Sequence, residues 1–415
     1  KKINAKFNSN YFLDKDDNPN SISFNYSKIK TKEKYNLKIK LSENEINIEE
    51  FNFLKKKNEE FSLVVSATKD KDIYKINNLK FYNDLNKFIF NDLIFTKDFK
   101  IQDFKSIEAN YLNKDNFVND FLIKKKNNNI NIFSNKFDLS SNIEKSLKSD
   151  KKNNFLEIFK NLNSRINLDI KLAKIDDEHI LKNLKGTSFI KNNEVDKTNI
   201  SGKFNKNNNF TYTIEDLDGK KVTTVYSDLA KPFVKKFKFI KGFEDGKLDY
   251  TSTEINKDLS KSELRIYNFK LQDMPALTKL LSLASLQGIA DLATGQGIRF
   301  TEFDMFFDNT KKIITINEIY ALGPAISILM EGYVEKNNLV SLRGTLVPAT
   351  TINKTVAKIP LLGDILVGDK TGEGVFGVSF KIKGHPDHLE TRVNPIKTLT
   401  PRFITRTLDK IKKSN

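Results

Sequence analysis

Residues 368–377 read GDKTGEGVFG, and within them Gly372, Gly374 and Gly377 form G-x-G-x-x-G behind Lys370-Thr371. That spacing is the one a phosphate-binding loop would use. A dinucleotide fingerprint must follow a strand and open a helix, so that the helix N-terminus meets the pyrophosphate. Here the glycines run into VSFKIKG, which alternates as a strand. A P-loop requires G-x-x-x-x-G-K-[ST], whereas residues 363–370 read GDILVGDK, with Asp369 where Lys belongs. GEGVFGVS comes close to a kinase glycine loop, but neither H-R-D nor D-F-G follows it. The sequence predicts a turn whose glycines relieve backbone crowding, and no nucleotide cofactor.

The other chemistry-bearing residues are sparse. Cysteine is absent, which removes disulfides, thiol nucleophiles and thiolate metal sites. His385 and His388 form H-x-x-H around a proline, so they belong to a turn and lack the further ligands a metal needs. His179 stands alone. Carboxylates are abundant and show no distinctive spacing. Asn199-Ile200-Ser201 is a formal glycosylation sequon that so Asn-rich a chain produces by chance. No catalytic residue, metal site or cofactor is predicted, and the chain is read as non-enzymatic.

Charge gives the next constraint. The 415 residues carry a net charge of +17. Nucleic acid is not predicted as a partner: the basic residues are overwhelmingly Lys, and Arg165 is the only Arg before residue 265. Base and phosphate readers rely on the planar Arg fork. Lys, Asn, Ile and Phe saturate the first half, as AT-rich codon usage would produce. No run of 18 apolar residues exists to span a bilayer. The chain begins at Lys1, and a membrane anchor preceding it is expected to be missing from this fragment.

The elements follow from alternation with period two, the mark of strands with one apolar face. It is seen at Tyr35, Leu37, Ile39 and Leu41; at Ile166, Leu168, Ile170 and Leu172; and at Phe210, Tyr212 and Ile214 before an Asp218-Gly219 hairpin turn. It returns at Phe303, Met305 and Phe307, at Val340, Leu342 and Leu346, and at Phe376, Val378, Phe380 and Ile382. Turn-like NKNNN, EDGK and EKNN separate such runs. The predicted fold is mainly β: a long curled antiparallel sheet, with a few short helices near the C-terminal end. One helix is predicted over 275–293, with Leu277, Leu280, Leu281 and Leu286, capped by Asp273 and ended by Gly295. Another is a basic amphipathic tail over 400–413, with Phe403, Ile404, Leu408 and Ile411 against Arg402, Arg406, Lys410 and Lys412. Composition changes near residue 230 without a linker, so both parts are expected to share one sheet. A sheet with one apolar face must cover it, by a second sheet, by its own curl, or by filling a trough with something else. Composition does not choose among these.

From about residue 227 to 405 the chain resembles the C-terminal region of the AsmA-like superfamily, YhdP type. The resemblance rests on FVKKFKFIKGFEDGKLDYTS, on the Leu-rich helix followed by Gly295, Gly297 and Phe300, and on ALGPAISILMEGYVEKNNLVSLRGTLVPATTINKTVAKIPLLGDILVG. In the last run Gly323-Pro324, Pro348, Asn353, Pro360 and Gly363 fall in order, and GEGVFGVSFKIKG with Gly374 and then VNPIKTLTPRF follow. The segment LNSRINLDIKLAKI at 162–175 resembles the strand that opens this region. The resulting division is a groove-forming meander over 1–160 and the AsmA-like region over 161–415.

The resemblance implies a bridge-like lipid transfer protein in the periplasm of a Gram-negative bacterium. It would be anchored in the inner membrane and carry phospholipid acyl chains along an apolar β-groove, in support of outer-membrane biogenesis. Expected groove residues are Leu37, Ile39, Ile166, Leu168, Ile170, Leu172, Tyr212, Ile214, Phe303, Met305, Phe307, Leu342, Leu346, Phe376, Val378 and Phe380. The 275–293 helix would cap the groove end or serve as ordinary core. The alternative is an interaction scaffold that holds an outer-membrane or periplasmic protein without conducting lipid.

Overall fold

The computed structural model describes residues 2–11, 20–143, 154–234, 242–272, 297–336, 338–348, 377–386 and 388–396. Among the described residues the chain is mainly β, with 23 strands in one sheet and a separate two-stranded hairpin. It divides into two compact units, Lys1–Glu215 and Asp216–Asn415.

The first unit opens with β1 (Lys2–Tyr11), β2 (Asn20–Ile29) and β3 (Lys32–Leu41). A small hairpin follows, β4 (Ile46–Ile48) and β5 (Phe53–Lys55), joined through a 3-10 turn at Glu49–Phe51. The sheet resumes with β6 (Phe61–Asp70), β7 (Ile73–Tyr82), β8 (Lys87–Phe95), β9 (Ile101–Asp103), β10 (Ser106–Leu112), β11 (Val118–Lys126) and β12 (Asn129–Asp138). It continues through β13 (Ser164–Lys174), β14 (Ile180–Lys191), β15 (Glu194–Lys203) and β16 (Asn209–Leu217). The second unit holds β17 (Lys220–Ser227), β18 (Phe243–Asn256), β19 (Leu259–Leu271), β20 (Ile298–Thr310) and β21 (Ile313–Leu322). Then come β22 (Ile326–Glu335), β23 (Leu339–Pro348), β24 (Gly377–His385) and β25 (His388–Ile396).

Most neighbours are sequential and antiparallel, as period-two runs joined by short turns should be. Asn supplies many of the turns because it tolerates the left-handed region. Asn192 and Asn193 both have positive φ between β14 and β15, as do Asp218 and Gly219 between β16 and β17. Two expectations are corrected. The sheet is mixed, not wholly antiparallel: β12 and β13 pair in parallel, from Asn129↔Arg165 to Asp138↔Lys174. A parallel pair needs a long crossover, and Leu156, Phe159 and Leu162 of that crossover pack with Leu93, Phe104 and Ile130. The EDGK segment does not turn the chain either. It lies inside β18, where Asp245, Gly246 and the facing Asn268 of β19 all have positive φ and kink the strand pair. The Gly246 carbonyl accepts the Ala230 N–H at 2.7 Å, which docks the short helix Lys231–Val234 at that kink.

Each unit has its own core. In the first, Phe53 of the small hairpin meets Phe61, Phe81, Phe88 and Tyr111 with ring centroids 4.9–6.3 Å apart, and the Tyr111 hydroxyl donates to the Phe51 carbonyl. In the second, Phe243, Phe269 and Phe300 stack at 5.1 Å and 5.3 Å beneath Ala230 and Val234.

Candidate ligand face

Residues directly opposite one another on neighbouring strands share a face of the sheet, so a rung can be followed from strand to strand. In the first unit one rung starts at Phe7 and passes through Phe24, Leu37, Val65, Leu79 and Phe90. It continues through Ile107, Ile123, Ile132, Leu168, Gly186, Ile200 and Tyr212. Every position with a side chain is apolar or aromatic across thirteen consecutive strands. The next rung, one residue along, faces the other way. It reads Lys6, Asn25, Asn36, Ser66, Asn78 and Asn91, then Ser106, Lys124, Asn131, Asn167, Thr187, Asn199 and Thr213. All thirteen are polar. Amide side chains bridge this rung: Asn78 donates to Asn91 at 2.7 Å, Asn91 to Ser106 at 3.0 Å, and Asn167 to Asn131 at 2.8 Å.

The apolar rung is covered only in part: Leu79, Phe90, Ile107, Ile123 and Ile132 pack beside buried clusters. Phe7 is exposed and every later member from Phe24 to Tyr212 is only half-buried. At about 4.8 Å per strand, twelve steps give a contour of about 58 Å. Gly186 is the one bare position. A Cβ there would stand 2.0 Å from the Asn199 carbonyl oxygen, so the close approach of β14 and β15 demands glycine.

The face changes character along the strands. Towards one end, Ile22, Ile39, Leu63, Phe81 and Phe88 form the neighbouring rung, and its Leu63, Phe81 and Phe88 pack with the hairpin that carries Phe51 and Phe53. That hairpin is pinned by Lys55. Its buried ammonium donates to the carbonyls of Ser42 at 2.8 Å, Asn44 at 2.7 Å and Lys56 at 3.1 Å, and burial lowers its pKa. Towards the other end the rungs become aromatic and then charged: Tyr26, Tyr35, Ala67 and Ile76, followed by Lys28, Glu33, Lys69 and Tyr74. Lys28 Nζ lies 2.8 Å from Glu33, whose other oxygen accepts the Tyr35 hydroxyl. Lys69 Nζ lies 5.1 Å from the Tyr74 ring centre. The Lys28 hydrogen bond holds the Glu33 carboxyl below its usual range, and Glu33 pushes the Tyr35 phenol up to about 12.

In the second unit the corresponding rung is Ser227, Leu248, Ile266, Phe303, Ala321, Ile328, Leu346 and Val378. All but Phe303 are buried, Leu346 and Val378 completely. The following rung, Val225, Tyr250, Leu264, Met305, Ile319, Met330, Gly344, Phe380 and Val393, is mostly half-buried.

Leu37, Ile39, Ile166, Leu168, Ile170, Leu172, Tyr212 and Ile214 thus share the apolar face of the first unit. Phe303, Met305, Phe307, Leu342, Leu346, Val378 and Phe380 share that of the second. Phe376, the helix residues Leu277, Leu280, Leu281 and Leu286, and Gly295, Asn353, Pro360, Gly363 and Gly374 lie outside the described residues, as do the 400–413 tail and most of the glycine loop. Gly297 enters β20 with positive φ, Phe300 is core, Gly323 and Pro324 lie between β21 and β22, and Pro348 ends β23.

Sequence reasoning did not single out Phe24, Val65, Leu79, Phe90, Ile107, Ile123, Ile132 and Ile200. Runs such as FSLVVSATKD in β6 mix apolar and small residues on both faces, and only the register separates them. Glu33 was legible by counting back in twos from Leu37 and Tyr35, whereas Lys28 follows from Phe24, which the alternation had not marked.

No group of three His, Asp or Glu is placed to hold a metal among the described residues. His179 is held by Asp176 at 2.8 Å and 2.9 Å, and His385 opposes His388 across a hairpin. Two concavities, 480 Å³ and 340 Å³, lie along β1–β3 and are lined mainly by Asn, Ser and Lys. No described helix is long and apolar enough to cross a membrane. No protein-family model, curated protein or solved structure matches the chain.

Proposed function

We propose that the apolar face of the first unit holds the acyl chains of a lipid and that the protein carries lipid between membranes without altering it chemically. The observation that supports this reading is the half-buried apolar rung through thirteen strands, backed by an all-polar rung. An ordinary core would bury such a rung. Its contour of about 58 Å approaches twice the ~30 Å hydrocarbon core of a bilayer. Two acyl chains of about 15 methylenes each cost on the order of 20 kcal/mol to expose to water, at ~0.8 kcal/mol per CH₂. A continuous apolar floor removes most of that cost and needs no point site. The motif resemblance in residues 227–405 favours the same reading, with a phospholipid as cargo and the space between inner and outer bacterial membranes as its setting.

The test is transfer of a fluorescent phospholipid from quenched donor vesicles to acceptors. Wild-type protein should accelerate it, and Leu168→Asp should remove the acceleration while leaving the circular dichroism spectrum intact. Acceleration that survives Leu168→Asp contradicts the reading.

A second reading, an interaction scaffold, draws on β1. Among the described residues β1 pairs on one side only, with β2, and Ile3 and Phe7 are 50% and 54% exposed. Such an edge is a template for strand addition by a protein partner. Proline substitution at Ala5 would then abolish function while lipid loading survives.

A further inference from the structure

We infer that Lys28 and Lys69, with the tyrosines beside them, form a headgroup rim that takes the phosphate of a lipid whose chains lie on the adjoining rungs. The inference rests on the lipid reading above and adds the orientation of the cargo and the chemistry of its head. Four successive rungs of β2, β3, β6 and β7 grade in polarity along the strands. Ile39 and Leu63 are followed by Leu37 and Val65, then by Tyr35 and Ala67, then by Glu33 and Lys69. From Ile39 to Glu33 is six residues, about 20 Å of strand. The apolar end is the one at which the aromatic hairpin of Phe51 and Phe53 packs on Leu63 and Phe81 and closes the face. The other end is half-buried and carries the charges.

The groups at that end suit an anion bound at an apolar–aqueous boundary. Tyrosine places a ring against hydrocarbon and a hydroxyl in water, and lysine stems lie along apolar surface while the ammonium stays hydrated. Tyr26 and Tyr35 pack at 5.3 Å between ring centres and separate the charges from the apolar rungs. Lys28 is committed to Glu33 at 2.8 Å. Lys69 lies over the Tyr74 ring and has no ion-paired carboxylate among the described residues. Two cations against one carboxylate leave one positive charge to meet the negative charge of a lipid phosphate.

The test compares three probes on the intact chain: fluorescent phosphatidic acid, fluorescent diacylglycerol with the same chains, and inorganic phosphate as competitor. Wild type should bind both lipids, phosphatidic acid the more tightly. The double variant Lys28→Gln, Lys69→Gln should lose at least tenfold in phosphatidic acid affinity and keep its diacylglycerol affinity. Both lysines are half-buried, and an unchanged unfolding midpoint guards against a folding artefact. Equal losses for both lipids, or none for either, overturn the headgroup rim and leave the apolar floor standing. Failure of wild type to bind diacylglycerol and phosphatidic acid alike overturns the lipid reading itself. Displacement of phosphatidic acid by millimolar inorganic phosphate overturns the lipid source of the anion, making the rim a free-phosphate site.

Discussion

The two units are written in the same alternation, yet the first leaves a rung half-buried through its whole width, while the second buries the rung from Leu248 to Val378 and leaves the more central one beside it, from Val225 to Val393, mostly half-buried. From Phe24 to Tyr212 no member of the first is fully buried, whereas Leu248, Ile266, Ala321, Ile328, Leu346 and Val378 in the second all are. The difference lies in what crosses the face. In the second unit the Phe243–Phe269–Phe300 stack and the Ala230–Val234 turn sit at one end of the strands and close it. In the first, the small hairpin and the β12–β13 crossover cover its two ends, and Phe90, Ile107 and Ile123 touch both clusters from the middle rung. Alternation therefore specifies a face, and a few insertions decide how much of that face stays available.

Four substitutions can break or sharpen this contrast. The largest effect is expected in the filled rungs. Phe300→Ala, at a side chain 1% exposed, should lower stability by ~3–5 kcal/mol through lost transfer energy and a cavity. Leu37→Ala on the open rung should cost about 1 kcal/mol, because little of its area leaves water. Urea unfolding of both variants is the check, and equal losses would collapse the comparison. Next is Gly186→Ala, at ~1–3 kcal/mol or more, since its Cβ meets the Asn199 carbonyl at 2.0 Å and must part β14 from β15. Lys55→Met should follow at ~1–3 kcal/mol, because it strips a charged donor from three carbonyls. Hydrogen exchange should localise that loss to residues 46–55; global destabilisation would show that the hairpin is integral to the sheet and not an added cover.

The smallest effect is electrostatic. Tyr35 has its pKa raised to about 12, first by its hydrogen bond to Glu33, so that contribution is full below pH 10 and lost as pH rises through about 12. Glu33 is shifted the other way, first by Lys28, so its contribution is present above the ordinary carboxylate pKa and lost as pH falls through the depressed one. Ultraviolet titration should show a late tyrosine that moves towards 10 in Glu33→Gln. Tyr111, raised by burial, should stay silent in both proteins.

Much of the fold was legible. Strands came from period two, the Asp218-Gly219 turn from its residues, and the shared face of Ile166, Leu168 and Ile170 within β13 from counting in twos. Three things were not. The parallel β12–β13 pair leaves no trace in periodicity, because pairing direction is set by a crossover, held by Phe159 and Leu162, and not by the strands' own alternation. EDGK carries hairpin letters, but the facing Asn268 shares its left-handed backbone and the strands continue past it. The Asn excess looked like codon bias alone. The register turns it into a ladder of cross-strand amides, which satisfies side-chain polar groups on the outer face without charge.

The measurement that bears most directly on the central claim is mass spectrometry of lipid extracted from the purified native protein, beside Leu168→Asp prepared identically. The account predicts phospholipid with wild type and at least a tenfold loss with Leu168→Asp at unchanged circular dichroism. A lipid-free wild type with its sheet intact, or equal lipid in both proteins, would contradict it.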